Sequence, residues 1–253
     1  MSLLTVNNVG VRFGGVVALD ELTFAVEPGR ICALIGPNGA GKTTLFNVLS
    51  RLYQSNSGTV TFDGHDLLAT PAHRIVRLGL ARTFQNVALF PALTVLENVL
   101  TGAQSLGHVG FARSMLRLGA AREERALRRR CLELLARLDL ADLAHRPVAG
   151  LPFGTLKRIE FARALAAEPR LLMLDEPANG LTHSEVDELG ATIRSIRDQF
   201  DLTILLVEHH MAMVMSISDH IVVLDFGRKI AEGVPAEIRN DPLVIEAYLG
   251  APA

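Results

Sequence analysis

The stretch that most constrains the fold of this chain is a glycine-rich run between an apolar segment and a helix-compatible one. It reads Gly-Pro-Asn-Gly-Ala-Gly-Lys-Thr-Thr over residues 36–44 and fills every fixed position of the pattern GxxxxGK[ST]. Residues 31–35 before it are apolar, and residues 44–52 after it suit a helix. The pattern requires a strand, a loop and a helix in this order, so the run predicts a phosphate-binding loop in an α/β fold.

The residue types of this loop indicate what it binds. Glycines let the backbone curl so that successive N–H groups face a phosphate, and the following helix adds partial positive charge. Lys42 places an ammonium group against the β- and γ-phosphates, and the Thr43 hydroxyl can ligate Mg²⁺. The sequence therefore predicts that the chain binds a nucleoside triphosphate. The candidate binding residues of the loop are Gly36, Pro37, Asn38, Gly39, Ala40, Gly41, Lys42, Thr43 and Thr44.

Composition argues against several other classes of protein. The chain of 253 residues has 25 basic and 27 acidic side chains and a formal net charge of −2, which does not favour nucleic acid as a partner. Its 2 cysteines, Cys32 and Cys131, form no CxxC pattern, so we expect buried thiols in a reducing cytosol. The first residues lack a signal-peptide pattern, and no apolar run reaches the ~20 residues that span a bilayer. Any membrane part is expected to come from a partner.

Hydrophobic periodicity predicts an α/β chain. Residues 3–13 and 22–26 alternate in polarity, which is typical of half-buried strands. A shorter strand is predicted at 59–62, and a helix at 73–80. From residue 159 onward, helical patterns alternate with apolar runs, which favours a mostly parallel sheet covered by helices. The apolar runs lie at 171–174, 203–207 and 221–224.

Residues from about 92 to 150 differ in character from the rest of the chain. They are rich in Leu, Ala and Arg and show no strand-like alternation, and residues 122–138 carry apolar side chains at helical spacing. Four arginines, at 125 and 128–130, suit either a patch for nucleic acid or lipid headgroups or the solvated face of an amphipathic helix. Interspersed glutamates favour the solvated face. The segment predicts a helical lobe inserted into the α/β core.

Two adjacent carboxylates follow the apolar run 171–174. Ligands of open α/β sheets bind at the carboxyl ends of the strands, so Asp175 and Glu176 are predicted to lie at the site. Asp175 can hold the Mg²⁺ shell, and Glu176 can polarise a water molecule for attack on the γ-phosphate. The alternative is an acidic turn that faces solvent.

Three single residues are further candidates. His209 follows the apolar run 203–207 and can orient the γ-phosphate and the attacking water, although an ordinary polar loop residue explains it as well. Gln85 can ligate Mg²⁺ or bind water. Phe13 can stack on adenine, and core packing is an equal alternative because it continues the apolar face of Val9 and Val11.

The order of these candidate residues along the chain resembles that in the ATP-binding subunit of ABC transporters, over nearly the whole chain. In that family the position of Gln85 is called the Q-loop residue, that of residues 151–155 the signature and that of His209 the switch histidine. The resemblance implies that Phe13 contacts adenine and that Glu176 is the catalytic glutamate. It is carried by Phe13, the loop 36–43, Gln85, residues 151–155, Asp175, Glu176 and His209.

The resemblance implies a P-loop NTPase fold of the ABC-ATPase type, with a mostly parallel sheet, an antiparallel β-subdomain and an inserted helical lobe. It implies one domain over residues 1–253, with the core in 1–88 and 157–253 and the lobe, which ends in the signature, in 89–156. ATP and Mg²⁺ are the implied cofactors. The implied catalytic residues are Lys42, Glu176 and His209, the metal ligands are Thr43, Gln85 and Asp175, and Gly154 and Thr155 join the nucleotide contacts.

The resemblance also implies partners and a place of action. Two such subunits close head-to-tail around two ATP molecules, and the signature of one completes the phosphate site of the other. The second subunit is a similar ATPase, or another copy of this chain in isolation. Two membrane permeases, fed by a solute-binding protein, hold the ATPases at the cytoplasmic face of the inner or plasma membrane.

Two positions depart from the family pattern. The usual signature Leu-Ser-Gly-Gly-Gln reads Leu-Pro-Phe-Gly-Thr, and Pro152 offers neither a hydroxyl nor a backbone N–H. Gly154, Thr155 and the start of the following helix remain available for the phosphate. The residue after the switch histidine is usually acidic, and here it is His210.

Finer features resemble one branch, the larger ATPase subunit of branched-chain amino acid importers. They are residues 81–85, the long insert after residue 98, residues 177–181 and the tail 240–250. Close relatives in that branch handle urea and short amides. Two other hypotheses remain: a non-transport ABC ATPase, although those generally carry two fused cassettes or a coiled coil, and a subunit with impaired hydrolysis, which Pro152 and Thr155 suggest.

Overall fold

The computed structural model describes residues 1–83, 88–104 and 120–249. The chain divides into two compact units. The first, which we call the α/β unit, consists of Met1–Gln85 and Arg170–Ala253. The second, the helical unit, is Asn86–Pro169. The domain bounds given above, with a lobe over 89–156, stay a prediction.

The strands of the α/β unit form two sheets. In chain order the strands are β1 Leu4–Phe13, β2 Val16–Val26, β3 Ile31–Ile35, β4 Ser57–Phe62, β5 His65–Asp66, β6 Leu80–Arg82, β7 Leu171–Asp175, β8 Thr203–Val207, β9 His220–Asp225 and β10 Arg228–Gly233. The larger sheet has the order β10-β9-β3-β8-β7-β6, and the smaller has the order β2-β1-β4-β5. Neighbours from β9 to β6 pair in parallel, and β10 pairs antiparallel with β9. The smaller sheet is antiparallel throughout.

Helices follow most of the parallel strands. In chain order they are α1 Lys42–Leu49, α2 Ala72–Ile75, α3 Val95–Ala103, α4 Ala120–Arg137, α5 Phe153–Leu165, α6 His183–Phe200, α7 Met211–Ile217, α8 Pro235–Ile238 and α9 Pro242–Leu249. Short 3₁₀ turns lie at Val76–Leu78 and Ala141–Leu143. None of the described helices is both long and apolar enough to cross a bilayer.

The core of the α/β unit has two parts, one on each face of the larger sheet. On one face, Leu45 and Phe46 of α1 belong to a buried cluster that also contains Leu4 of β1 and Val207 of β8. On the other face, Val214 of α7 joins the helices that close the chain. Strands β3, β7 and β8 are buried at every position, which is why they read as unbroken apolar runs.

One sequence prediction in this unit is wrong, and strands β6 and β10 were not predicted. The helix predicted over 73–80 ends early, because Gly79 adopts a left-handed conformation at φ 95° and terminates it. Residues after it form β6 beside β7, a pairing that local periodicity does not reveal. Strand β10 was also missed, since it is a polar edge strand whose exposed side chains break the apolar pattern.

The helical unit contains α3, α4 and α5, and α3 packs against both of the others. Helix α4 is amphipathic, because Cys131 and Leu135 are buried while the arginines at 125 and 128–130 are exposed. The amphipathic helix predicted over 122–138 is therefore confirmed.

Asn98 of α3 is fully buried and holds the preceding loop. Its side chain donates to Phe90 O at 3.1 Å and accepts from Phe90 N at 2.8 Å.

Helix α6 begins at a capping box formed by Thr182 and Glu185. Glu185 Oε2 accepts from Thr182 N at 2.9 Å and from Thr182 Oγ1 at 2.7 Å. These hydrogen bonds hold the pKa of Glu185 below its ordinary value. The helix runs from this box to Asp201, whose φ of 52° ends it in the left-handed region.

We expect Thr182→Ala to lower the free energy of unfolding by about 1 kcal/mol, since it removes the helix cap. Urea denaturation monitored by circular dichroism would measure the change. Ser195→Ala on the exposed face of α6 is the matched control, and it should leave stability unchanged or slightly raised. Equal stability of the Thr182 variant and the wild type would show that the cap does not stabilise this helix.

Candidate functional site

The carboxyl ends of four neighbouring parallel strands bring the predicted residues of the α/β unit to one edge of the larger sheet. The glycine-rich loop follows β3, Glu176 follows β7, and His209 follows β8. Across β8, Val207 lies opposite Leu34 of β3 on one side and Asp175 of β7 on the other. The fourth strand, β6, ends at Arg82.

The glycine-rich loop leads into α1, whose N-cap is Gly41 in the left-handed conformation at φ 99°. A Cβ atom there would lie 2.6 Å from Ala18 O, so both the backbone angle and the close approach of β2 require glycine. Ala40 O accepts from Gly227 N at 3.1 Å, which ties the loop to the turn between β9 and β10. The first turn of α1 carries no acidic residue, and its N–H groups suit an anion.

Lys42 folds back onto this loop. Its Nζ donates to Gly36 O at 2.7 Å and to Pro37 O at 2.9 Å, and the side chain is buried. Burial lowers the pKa of Lys42, and the carboxylate of Glu176 opposes that shift. The ammonium group therefore lies inside the loop, hydrogen-bonded to its carbonyl oxygens.

Asp175 forms a buried ion pair with Arg82. The Arg82 guanidinium donates to Asp175 Oδ2 at 2.6 Å, with the two side chains 12% and 7% exposed. Arg82 also donates to Asn47 Oδ1 at 2.9 Å and to Ser50 Oγ at 3.0 Å, both on or next to α1. Its guanidinium carbon lies 5.5 Å from the centre of the Phe46 ring. One arginine thus joins β6, the end of β7 and α1.

Glu176 is the first residue after β7 and has an unusual backbone. Its φ is 46°, in the left-handed region that non-glycine residues rarely adopt, and its N–H donates to Val207 O at 2.9 Å. The side chain is partly exposed. Such strain is common where a side chain must point at a reaction centre.

The loop after β8 is organised by Glu208, whose side chain is 0% exposed. Glu208 Oε2 accepts from His209 N at 2.7 Å, from His210 N at 3.0 Å and from His210 Nδ1 at 3.0 Å. The His209 side chain is half exposed, and its ring centre lies 4.5 Å from that of His210. His209 is therefore held through its backbone while its imidazole stays accessible.

Phe13 ends β1 and is 47% exposed, in edge-to-face contact with Tyr53 at 5.2 Å between ring centres. The core-packing alternative is wrong for this residue, because an irregularity in the pairing of β1 with β2 between Val11 and Arg12 breaks the alternation before Phe13. The exposed ring leaves a face free for an aromatic partner.

The remaining candidates lie elsewhere. Gly154 and Thr155 lie in the first turn of α5 in the helical unit, after Pro152 at the N-cap. Gly154 is exposed, and no side chain among the described residues caps this helix. Gln85, the remaining predicted metal ligand, lies outside the described residues.

Thr43 and Asp175 supply a hydroxyl and a carboxylate, which are the oxygen donors that Mg²⁺ prefers. Asp175 already accepts a charge-assisted hydrogen bond through Oδ2, which shows that its position suits a cationic partner. The residues present therefore fit a magnesium ion at this edge of the sheet.

Residues 19–179 match the family model described as ABC transporter. The chain belongs to the ABC transporter family. It is the ATP-binding subunit of such a transporter and an ATPase, as the resemblance of its motifs implied. A second model, described as branched-chain amino acid ATP-binding cassette transporter, matches residues 228–253 of this ATPase.

Curated relatives match this ATPase from end to end. The high-affinity branched-chain amino acid transport ATP-binding protein BraF of Pseudomonas aeruginosa is 42% identical over 98% of both chains. The corresponding protein LivG of Salmonella typhimurium is 43% identical, again over 98% of both chains. These relatives confirm the resemblance to the ATPases of branched-chain amino acid transport.

Solved structures confirm the fold class. A nucleotide-free ATP-binding cassette of an ABC transporter superposes with a TM-score of 0.85 at 31% identity, covering 99% of this chain and 100% of the other. A cassette in its ADP conformation gives a TM-score of 0.86 at 29% identity over 99% of each chain. The parallel sheet with its antiparallel companion is the P-loop ABC-ATPase fold.

Two residues of the site were missed by the sequence analysis, Arg82 and Glu208. Each is a charged residue at the carboxyl end of a mostly apolar strand: Arg82 is the last residue of β6, and Glu208 directly follows β8. A charge at the carboxyl end of a buried parallel strand is the signal that points to such residues. Arg82 lies within residues 81–85, which carried the finer resemblance without a role for the arginine, and Glu208 belongs to none of the motifs.

We expect Arg82→Met to lower the free energy of unfolding by about 3–5 kcal/mol, because it leaves the buried Asp175 carboxylate without its counter-charge. Urea denaturation would measure the loss. The double variant Arg82→Met with Asp175→Asn should lose much less than Arg82→Met alone. As a control, Arg30→Met removes an exposed arginine 3.9 Å from Asp219 and should change stability by no more than about 1 kcal/mol. Additive losses in the double variant would contradict a direct pair.

Proposed function

We propose that this ATPase powers the uptake of branched-chain amino acids. The observation that carries the proposal is 42–43% identity over 98% of the chain to ATPases named for that transport. The carboxy-terminal match over residues 228–253 supports the same branch. By comparison, a sulfate/thiosulfate import ATP-binding protein of Bradyrhizobium diazoefficiens is less similar, at 36% identity, and the match covers only 69% of that longer protein.

The proposed working complex contains two ATPase subunits and two membrane permeases. The second ATPase is a similar chain, or another copy of this one in isolation, and a solute-binding protein supplies the amino acid. The permeases would hold this chain at the cytoplasmic face of the membrane. The relatives are named as ATP-binding proteins of transport systems, which supports separate membrane subunits.

The proposed nucleotide site uses the edge of the larger sheet. The N–H groups of the glycine-rich loop and the start of α1 bind the phosphates, and Lys42 exchanges its two carbonyl contacts for phosphate oxygens. Phe13 stacks on adenine through its exposed face. Gly154 and Thr155 of the partner subunit's equivalent segment are proposed to approach the γ-phosphate, because the start of α5 offers uncapped N–H groups.

Hydrolysis is proposed to proceed by attack of a polarised water molecule. Glu176 accepts a proton from that water, and His209 orients the water and the γ-phosphate. A magnesium ion, held by Thr43, Asp175 and Gln85, would neutralise charge on the β- and γ-phosphates. Lys42 places its charge on the same oxygens, and the Glu176 carboxylate opposes the lowering of the Lys42 pKa by burial.

We expect Glu176→Gln to reduce ATP turnover by about 10²–10⁴-fold, since a general base is lost, while ATP affinity stays within about threefold of the wild type. Phosphate release and equilibrium binding of a fluorescent ATP analogue would measure the two quantities. Glu188→Gln on the exposed face of α6 is the matched control and should hydrolyse ATP normally. Unchanged hydrolysis by the Glu176 variant would exclude it as the essential base.

The transported class can be tested by reconstitution with the permeases and the solute-binding protein that co-purify with this chain. We expect ATP-dependent uptake of labelled leucine into proteoliposomes, competed by isoleucine and valine and abolished by Glu176→Gln. Urea and acetamide are the discriminating substrates. Uptake of labelled urea that leucine does not compete would overturn the branched-chain proposal while leaving the ATPase assignment intact.

A further inference from the structure

The buried carboxylate of Glu208 joins two loops of the site, and nothing in the motif pattern assigns it a task. Glu208 Oε1 accepts from Ala178 N at 2.9 Å. Its other oxygen, Oε2, accepts from the backbone and ring of His210 and from the backbone of His209. Ala178 lies two residues after Glu176, and His209 directly follows Glu208. One side chain therefore connects the loop of the proposed base to the loop of the proposed switch histidine.

The chemistry of the contact fixes its direction. An ionised carboxylate only accepts hydrogen bonds, so the ring nitrogen Nδ1 of His210 carries the proton that faces Glu208. Burial opposes ionisation of Glu208, but the hydrogen bonds from His210, Ala178 and His209 together hold its pKa below the ordinary value. The three backbone donors and the ring donor all converge on a negative charge that solvent does not reach.

In this chain the acidic residue beside His209 precedes the histidine. The family pattern usually has an acidic residue directly after the switch histidine, and here that position holds His210. Glu208 supplies a carboxylate from the other side of His209. The Glu208 side chain is fully buried, whereas that of His210 is 27% exposed. From this buried position the Glu208 carboxylate also accepts a hydrogen bond from Ala178, in the loop that follows β7.

We propose that Glu208 is a positioning residue that couples residues 177–181 to residues 209–210, so that Glu176 and His209 take up their working positions together. The proposal rests on the roles given to Glu176 and His209 above. Among the described residues, the hydrogen bonds of Glu208 go to Ala178, His209 and His210 and none to residues 36–44, so it acts through the backbone of these three neighbours and the ring of His210.

Amide hydrogen exchange of Glu208→Gln tests the coupling without any reference to activity. The amide side chain is isosteric, but it replaces one acceptor oxygen with a donor group. We expect the amides of Ala178, His209 and His210 to exchange at least about tenfold faster, because each loses a charge-assisted bond or its partner's support. The amides of β8 at 203–207 should stay protected, and Glu188→Gln should match the wild type throughout.

Faster exchange in only one of the two loops, or uniformly faster exchange that includes β8, would overturn the coupling. If Glu208→Gln does not fold, His210→Phe serves instead, because it removes only the ring donor of a partly exposed residue. That variant should show faster exchange at Ala178 as well as at residues 209–210. No change at Ala178 would overturn the proposal in the same way.

Steady-state kinetics supply the second arm. Positioning predicts that kcat for ATP falls at least about tenfold in Glu208→Gln while KM stays within about twofold, since the loop that binds the phosphates is untouched. A normal kcat would show that the contact does not position the site. Failure of the general-base role would appear separately, as normal turnover by Glu176→Gln, and the exchange experiment does not depend on that outcome.

Discussion

The pairing of strand β8 with β3 on one side and β7 on the other is the constraint on which the site depends. Val207 lies opposite both Leu34 and Asp175, and its carbonyl accepts from Glu176 N at 2.9 Å. The two outer strands are therefore separated by two strand spacings, roughly 10 Å, which the backbone ladder sets independently of the side chains. Because this frame is rigid and buried, the loops at its edge can hold strained residues such as Glu176 without loss of register.

The edge of the sheet concentrates charge, and each charged group is satisfied by the protein itself. Lys42 donates to two carbonyls of its own loop, Asp175 accepts from Arg82, and Glu208 accepts from three backbone N–H groups and one ring N–H. The Lys42, Asp175 and Glu208 side chains thus have defined hydrogen-bond partners within the protein, and the proposed binding of a triphosphate would require the Lys42 contacts to be exchanged. Such preorganisation is the main source of electrostatic stabilisation in enzymes.

Much of this architecture follows from local patterns in the sequence. Strands β3, β7 and β8 are buried on both faces, so they must be apolar throughout, and the run of such residues predicted them. The loop, the two carboxylates and the capping box of α6 are also local. Strand β6 is only three residues long and is defined by its pairing with β7, about ninety positions along the chain, and no local pattern announces it. The contacts of Arg82 and Glu208 span 93 and 30 positions for the same reason.

The two residues that sequence reasoning missed, Arg82 and Glu208, lie on the strands to either side of β7 or directly after them, and both bind residues at the end of β7 or just beyond it. Arg82 holds Asp175 at the end of β7, and Glu208 holds Ala178 three positions later. The segment between them carries Glu176 in its strained conformation, so a cation fixes one end of the segment and an anion fixes the other. Displacement of either end would change the direction of the Glu176 side chain, because a residue at φ 46° has few alternative conformations through which to absorb the shift. The position of the proposed base thus depends on two charged side chains that bind its flanking residues, and the strand ends that supply them are followed in the sequence by Gln85 and His209.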